Sequence, residues 1–468
     1  MDDFLDLCRR AIGAEFVLTE QTELLPYVAE WRQRYSGKAL AVLRPASTAE
    51  VAALVRLCAR HHVPIVPQGG NTGLVLGSVP DQSGKAVVIS LKRMNRIRAI
   101  DGANNTVTAE AGCLLAQVQH AADVAGRLYP LSLASEGSCT VGGNLSTNAG
   151  GTAVLRYGNA RDLCLGLEVV TANGEIWHGL RGLRKDNTGY DLRDLFIGAE
   201  GTLGIITAAV LKLYPRPKAQ ITAFAAVATP QAALALLNFA QAEFGPALTG
   251  FELISDFCLQ LVLKHIPHLA PVFDVSYPYY VLLELSDHES EQHGMQRLEA
   301  TLGQALEQGQ ILNAAIAASL SQSESMWDLR ENISLAQAAE GKNIKHDISL
   351  PVSAIPEFMA ATEQLLQQNF PGCRLVCFGH MGDGNLHYNI SPPANISDTE
   401  FLTQQTAINR VAHDSVHHFG GSISAEHGLG ALKRDEIRRY KTELEMRMMQ
   451  TLKSALDPQN LMNPGKIF

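Results

Sequence analysis

Residues 377–390 read Cys-Phe-Gly-His-Met-Gly-Asp-Gly-Asn-Leu-His-Tyr-Asn-Ile, and no other stretch constrains the chain as tightly. Gly382, Asp383 and Gly384 give a tight-turn signal between two apolar flanks, which predicts a hairpin. His380 and His387 then stand on its two arms, where cross-strand neighbours approach closely. Strand period puts Asn389 on the face of His387. Further along, Ala425-Glu426-His427-Gly428 offers a carboxylate with a histidine beside it. Two imidazoles and one carboxylate make a three-ligand metal site with a position open for substrate, and a histidine outside the ligand set is a candidate base. For either histidine alone a hydrogen-bonded structural role is the simpler reading. With Asn389 behind the pair, a metal site and a structural pair both stand.

A length of 468 residues exceeds one hydrophobic core and implies two or three domains. With 46% hydrophobic and 18% charged residues the chain is expected to be a soluble globular protein. Its net charge of −9 argues against nucleic acid or an anionic membrane as partner. The eight cysteines form no CxxC pair or regular framework, and the acidic start Met1-Asp2-Asp3-Phe4 is unlike a signal peptide. Both point to reduced thiols and a cytoplasmic protein. Cys373 and Cys377, near His380, are expected to pack in a strand core. The longest apolar stretch, near Ile221–Ala240, is interrupted by Pro230 and Gln231, so no transmembrane segment is expected. No internal repeat is visible.

Along the chain, residues 1–35 read as a helical segment. Ser47 and Glu50 form a capping box that opens a helix with Val51, Leu54, Val55 and Cys58 on one face. A short strand at Pro64–Pro67 follows, then strands at Val87–Leu91 and Thr106–Glu110 and a helix from Leu114 to Ala125. This alternation reads as an α/β unit over 36–217, closed by Pro215 and Pro217. From 218 to 424 the pattern is that of a second α+β domain, with a strand at Tyr279–Leu285 and helices at 289–308 and 353–369. Residues 425–468 carry Glu426 and His427, continue as a helix over Arg434–Leu456, and end in a tail, Asn463–Phe468, expected to dock on the first domain.

Two glycine-rich loops dominate the first domain. One is Pro67-Gln-Gly-Gly-Asn-Thr-Gly73, extended to Gly77-Ser78; the other runs from Gly137 to Gly151. Neither contains Lys or Arg. A pyrophosphate bound there would be held by backbone N–H groups and hydroxyls, with glycine permitting close approach. The GxGxxG fingerprint and the P-loop pattern are absent, so NAD and ATP have no obvious cradle. The residues themselves imply a nucleotide-type cofactor on glycine loops, together with a candidate metal.

At these loops the chain resembles the vanillyl-alcohol-oxidase type of FAD-binding protein. The resemblance rests on Pro67–Gly73, Gly142-Gly-Asn144, Thr147–Gly151, Arg184–Asp191 and Phe196–Ile206. His380–Asn389, Ser424–Gly428 and Asn463–Lys466 resemble the C-terminal domain of FAD-linked oxidases. Nearly the whole chain is covered, and the likeness is strongest to the D-2-hydroxyglutarate dehydrogenase group, with D-lactate dehydrogenases and the glycolate oxidase subunit more distant. The implied fold class is α+β: a two-part FAD-binding domain, an α+β substrate (cap) domain and a helical C-terminal segment.

What the resemblance implies can be written residue by residue. FAD-binding positions fall on Pro67, Gly69, Gly70, Asn71, Thr72, Gly73 and Ser78 of the first loop. In the second they fall on Gly137, Ser138, Gly142, Gly143, Asn144, Thr147, Asn148, Gly150 and Gly151. A third set is Glu200, Gly201, Gly204 and Ile206. Metal ligands fall on His380, His387 and Glu426, and the catalytic histidine, also touching substrate, on His427. Arg330, Ser334, Lys345 and Asn389 would hold substrate. Arg330 lies four residues before Ser334 on an expected helix, so the two would share a face. Taken alone, Arg330 and Lys345 read as solvated surface charges.

Two departures matter: Ser334 replaces a threonine usual in the diacid enzymes, and Asn71 replaces a histidine that carries covalent flavin in other members. Non-covalent FAD is therefore expected. The metal is expected to be zinc, with manganese or iron(II) as alternatives. Lewis-acid polarisation would lower the hydroxyl pKa, His427 would take that proton, and the Cα hydrogen would leave as hydride to flavin N5. The expected reaction is D-2-hydroxyglutarate to 2-oxoglutarate. D-Lactate or D-malate oxidation is the alternative within the class, and a zinc hydrolase the alternative outside it. Electron-transfer flavoprotein or a quinone is the expected acceptor, and a homodimer the expected assembly.

Overall fold

The N-cap at Ser47 forms as its spacing predicts, but the reciprocal bond of a capping box does not, because Glu50 reaches past Ser47 to the Ala46 N–H. Ser47 accepts the Glu50 N–H at 3.2 Å while Glu50 Oε2 accepts the Ala46 N–H at 2.8 Å. The helix that follows, Thr48–His61, buries Val51, Leu54, Val55 and Cys58 completely. The computed structural model describes residues 2–394 and 396–468, Asp2 by its backbone alone. Two compact units divide the chain. The first takes in the chain up to Gly150, Gly158–Arg216 and Glu426–Phe468; the second takes Gly151–Tyr157 and Pro217–Ala425.

In the first unit a four-stranded sheet runs Val17–Leu18, Ala41–Leu43, Val87–Ser90, Ile65–Gln68, the last three parallel and the first antiparallel. The expected α/β alternation ends there. A five-stranded sheet, Ile97–Asp101, Thr106–Glu110, Gly204–Lys212, Cys164–Thr171 and Ile176–Gly179, is antiparallel throughout. Its central strands are too uniformly apolar for periodicity to reveal direction. Phe4, Cys8 and Ile12 of the first helix pack into one core cluster with Val51, Val55, Ile65 and Met462. The tail is held on the strand Ile65–Gln68: Ile65 donates to the Leu461 carbonyl at 2.8 Å and Asn463 donates back to Ile65 at 2.7 Å.

The second unit is built on one antiparallel sheet ordered Asn313–Ile316, Ala219–Val227, Tyr279–Asp287, Leu248–Ser255, Arg374–His380, Asn385–Ser391, Asp347–Ser349. Phe224, Ile254, Leu282, Val376 and Phe378 on one face meet Cys258, Val262, Met326, Leu329 and Ile333 of the covering helices. Two helix expectations are corrected. The helix through Arg330 ends at Glu331 and a second begins at Ile333. The C-terminal helix is Glu443–Leu456, preceded by a short Ile437–Tyr440, because Thr442 and Glu445 form a fresh capping box. No helix among the described residues is long and apolar enough to cross a membrane.

Candidate active site

The two glycine loops come together in the first unit. A side chain on Gly70 would place its Cβ 2.1 Å from the Ser138 carbonyl, and one on Gly69 would sit 2.2 Å from Thr140 Oγ1. These glycines are needed first to let one loop lie on the other. Gly73, with nothing within 4 Å of its Cβ position, leaves its side of the loop open. The cavity so formed is lined by fifteen of the expected FAD positions: Pro67, Gly69, Gly70, Asn71, Thr72, Gly73, Ser78, Gly142, Gly143, Asn144, Thr147, Glu200, Gly201, Gly204 and Ile206. Gly137, Ser138, Asn148, Gly150 and Gly151 do not line it. Ser138 backs Gly70 instead, Asn148 Oδ1 accepts the Arg161 N–H at 2.9 Å, and Gly151 belongs to the second unit.

Sequence reasoning missed Gln68, Thr140 and Ser146 on the cavity wall. Gln68 donates to the Tyr27 and Ser78 carbonyls at 2.8 Å each, but its Oε1 is buried without a partner. A buried acceptor on a cavity wall, with no cation in the lining, fits a neutral hydrogen-bonding ring system beside a backbone cradle for phosphate. The cation-free glycine wall and the buried Gln68 acceptor suit FAD. Asn71 is tied down by its own amide, which donates to Ala29 O at 2.9 Å and accepts from Ser78 Oγ at 2.9 Å. A larger cleft of ≈860 Å³ in the same unit is roofed by the Arg184–Asp191 segment and contains none of the glycine loops.

His427 lines the same cavity as the glycine loops. Glu200 explains its position: the carboxylate accepts the Leu429 N–H at 2.7 Å and the Gly430 N–H at 2.8 Å. A Cβ on Gly428, at φ 76°, would come within 2.7 Å of that carboxylate. Burial pushes the Glu200 carboxyl up, and the two backbone N–H groups with Lys466 offset only part of this. Glu200 is therefore occupied in holding the His427 segment, a role its expected place among the cofactor contacts did not suggest. Asn463 joins the clasp, donating to the Gly77 and Glu200 carbonyls at 2.8 and 2.7 Å.

In the second unit the hairpin forms as expected, with arms Arg374–His380 and Asn385–Ser391. Gly384 takes φ 90°, and a Cβ there would lie 2.2 Å from Leu350 O, so the turn admits only glycine. The rings of His380 and His387 lie 5.9 Å apart. His380 Nδ1 donates to Glu252 Oε1 at 2.6 Å, and Arg330 Nε donates to Glu252 Oε2 at 2.7 Å. Burial raises the Glu252 carboxyl, but His380 and Arg330 outweigh it and bring the pKa down to about 2. Arg330 is buried and lies over the Phe378 ring at 4.8 Å. It is an interior charge, against the surface reading of this residue taken alone.

The other expected substrate residues are placed differently. Ser334 and Lys345 are exposed, whereas Arg330 is buried, and Arg330 and Ser334 stand on two helices that meet at Asn332. Asn389 is buried: its Oδ1 accepts the His346 N–H at 3.1 Å and its Nδ2 donates to Gln337 at 3.0 Å. The asparagine thus ties the edge of the sheet to the helix Ile333–Ala339. Asp347, unremarked in the sequence, is the cross-strand partner of His387.

Comparison with known proteins agrees with this construction. Residues 39–179 match the FAD binding domain family and residues 216–467 the C-terminal domain of FAD linked oxidases. The chain is 37% identical to the D-2-hydroxyglutarate dehydrogenase of Xanthomonas citri, across 98% of this chain and 96% of that one. It is 37% identical to that of Stutzerimonas stutzeri, across 97% and 96%. Against the mitochondrial protein of Danio rerio it is 36% identical, across 98% and 84%. Among solved structures, p-cresol methylhydroxylase superposes with a TM-score of 0.77 at 16% identity, across 100% of this chain and 96% of that one. Fold and glycine-lined cavity together define a flavoprotein oxidoreductase. The chain belongs to the FAD-linked 2-hydroxy acid dehydrogenase family.

Proposed function

We propose that this FAD-dependent D-2-hydroxy acid dehydrogenase oxidises D-2-hydroxyglutarate to 2-oxoglutarate, with His427 as base. The observation that carries the reading is His427 on the wall of the glycine-loop cavity, its segment pinned by Glu200. Bound FAD supplies the acceptor for the two electrons and hydrogen that leave the substrate Cα. A ring nitrogen of His427 takes the hydroxyl proton, which completes the balance: carbinol to ketone, one hydride and one proton. His380, His387 and Glu426 are the residues that would hold a divalent metal, and such an ion supplies Lewis-acid polarisation of the hydroxyl. Their donor set, two imidazoles and one carboxylate, suits zinc. Glu426 directly follows Ala425, whose N–H is bonded to Asp347 O at 3.3 Å in the sheet edge beside His387.

Arg330 is the counter-charge for the distal carboxylate of a diacid, assisted by Lys345. Its Nε is committed to Glu252, and the terminal guanidinium nitrogens remain to meet substrate. FAD is held without a covalent link, in line with the committed amide of Asn71. Eight buried thiols, none in a disulfide, suit a reducing compartment such as the cytoplasm. Electrons pass on to a flavoprotein or quinone acceptor. A dye-reduction screen of D- and L-2-hydroxy acids tests the substrate: D-2-hydroxyglutarate should give the highest kcat/KM. Preference for D-lactate or D-malate would overturn it.

A further inference from the structure

We infer that Glu252 is a positioning residue for this reaction, setting the ring tautomer of His380 and the reach of Arg330 with one carboxylate. The inference rests on the metal reading proposed above. Glu252 and His380 are cross-strand partners in the ladder between Leu248–Ser255 and Arg374–His380, so their contact is built into strand register. A carboxylate only accepts, so the 2.6 Å contact requires the proton on His380 Nδ1; in the neutral ring Nε2 is then the lone-pair nitrogen that a metal ligand must present. The other oxygen takes Arg330 Nε at 2.7 Å, holding the guanidinium against the Phe378 ring. Phe251, Leu253 and Ile254 around it are fully or nearly fully buried. An acid in such a strand is retained only with partners.

Glutamine at this position cannot serve both donors. If its oxygen accepts from Arg330, its amide N–H₂ meets His380 Nδ1 and demands the opposite tautomer, with the proton on the ligand nitrogen. Metal-free holoenzyme, retaining FAD, would be titrated with zinc against a chromophoric chelator for wild type, Glu252→Gln and Glu252→Asp. Circular dichroism would monitor the fold. The expected result is a zinc affinity about 10–100-fold weaker in Glu252→Gln, with FAD content unchanged and part of the loss recovered by Glu252→Asp. In a His380→Ala background, Glu252→Gln should cause no further loss. A folded Glu252→Gln protein with wild-type zinc affinity would overturn the role of Glu252 and leave the metal site standing. Failure of wild type to bind zinc would bring down the metal reading itself, and this inference with it. NMR of isotope-labelled histidine in wild type needs no variant: a proton on His380 Nε2 rather than Nδ1 would overturn the inference.

Discussion

The two units solve the same problem, holding polar groups in place for chemistry, by opposite means. In the first, the cavity wall is backbone shaped by glycine, and most of its side chains are small or neutral. In the second, side chains form the links: Glu252 joins the His380 and Arg330 side chains, and Asn389 joins the Gln337 side chain to the His346 backbone N–H. A backbone cradle tolerates loss of a neighbouring side chain, because nothing else leans on it. A buried network transmits the loss, because each deletion strands a partner.

The largest expected effect sharpens this contrast. His427→Ala should lower kcat about 10²–10⁴-fold, the usual worth of a general base, while FAD content and thermal stability stay at wild-type values. Loss of bound flavin in that variant would show that the histidine belongs to the cradle. Arg330→Ala should cost roughly a hundredfold in kcat/KM for D-2-hydroxyglutarate, as charge-assisted bonds of about 1.5–3 kcal/mol are lost. D-Lactate, with no distal carboxylate, should lose less but not nothing, since Glu252 keeps only His380 as partner. Equal losses for both acids would place Arg330 at the shared carboxylate.

The tail gives a smaller effect with a definite sign. Lys466 is buried, donates to Val79 O at 2.9 Å, and burial, only partly offset by Asp81 and Glu200, lowers its pKa to about 8. Between that value and an ordinary lysine near ~10.4, the unfolded chain binds the proton and the fold does not. Stability should therefore rise with pH through this window, by up to about 3 kcal/mol. Denaturant unfolding of wild type and Lys466→Met at both ends of the window checks it: the variant should lack this component of the slope. The smallest effect is Asn389→Ala. It should destabilise by about 1–3 kcal/mol, leaving the partners of a buried amide unsatisfied. KM for the diacid should change little; a large rise in KM with unchanged stability would return Asn389 to direct substrate contact.

What could be read from the sequence was local. The hairpin is announced by Gly382-Asp-Gly384, the helix N-cap by Ser47, and the glycine loops by composition. The residues that organise them were hidden by distance along the chain. Glu252 stands 128 residues from His380, and Glu200 stands 229 from Leu429. A lone acid in the apolar run Phe251-Glu-Leu-Ile was the available signal for the first. Nothing comparable marks Glu200, whose surroundings read as one more glycine turn. The break at Asn332 was also invisible, because that residue keeps right-handed helical angles. Fifteen of the twenty expected FAD positions line the cavity; the five that miss it belong to the outer ends of the same loop.

Anaerobic bleaching of the bound flavin by D-2-hydroxyglutarate, followed in metal-stripped and zinc-reloaded enzyme, tests the central claim most directly. Rapid bleaching by the D-enantiomer in reloaded enzyme, little by L-2-hydroxyglutarate or D-lactate, and slow bleaching in stripped enzyme that retains its FAD is the predicted result. Undiminished bleaching after verified metal removal, or faster bleaching by D-lactate than by D-2-hydroxyglutarate, would contradict it.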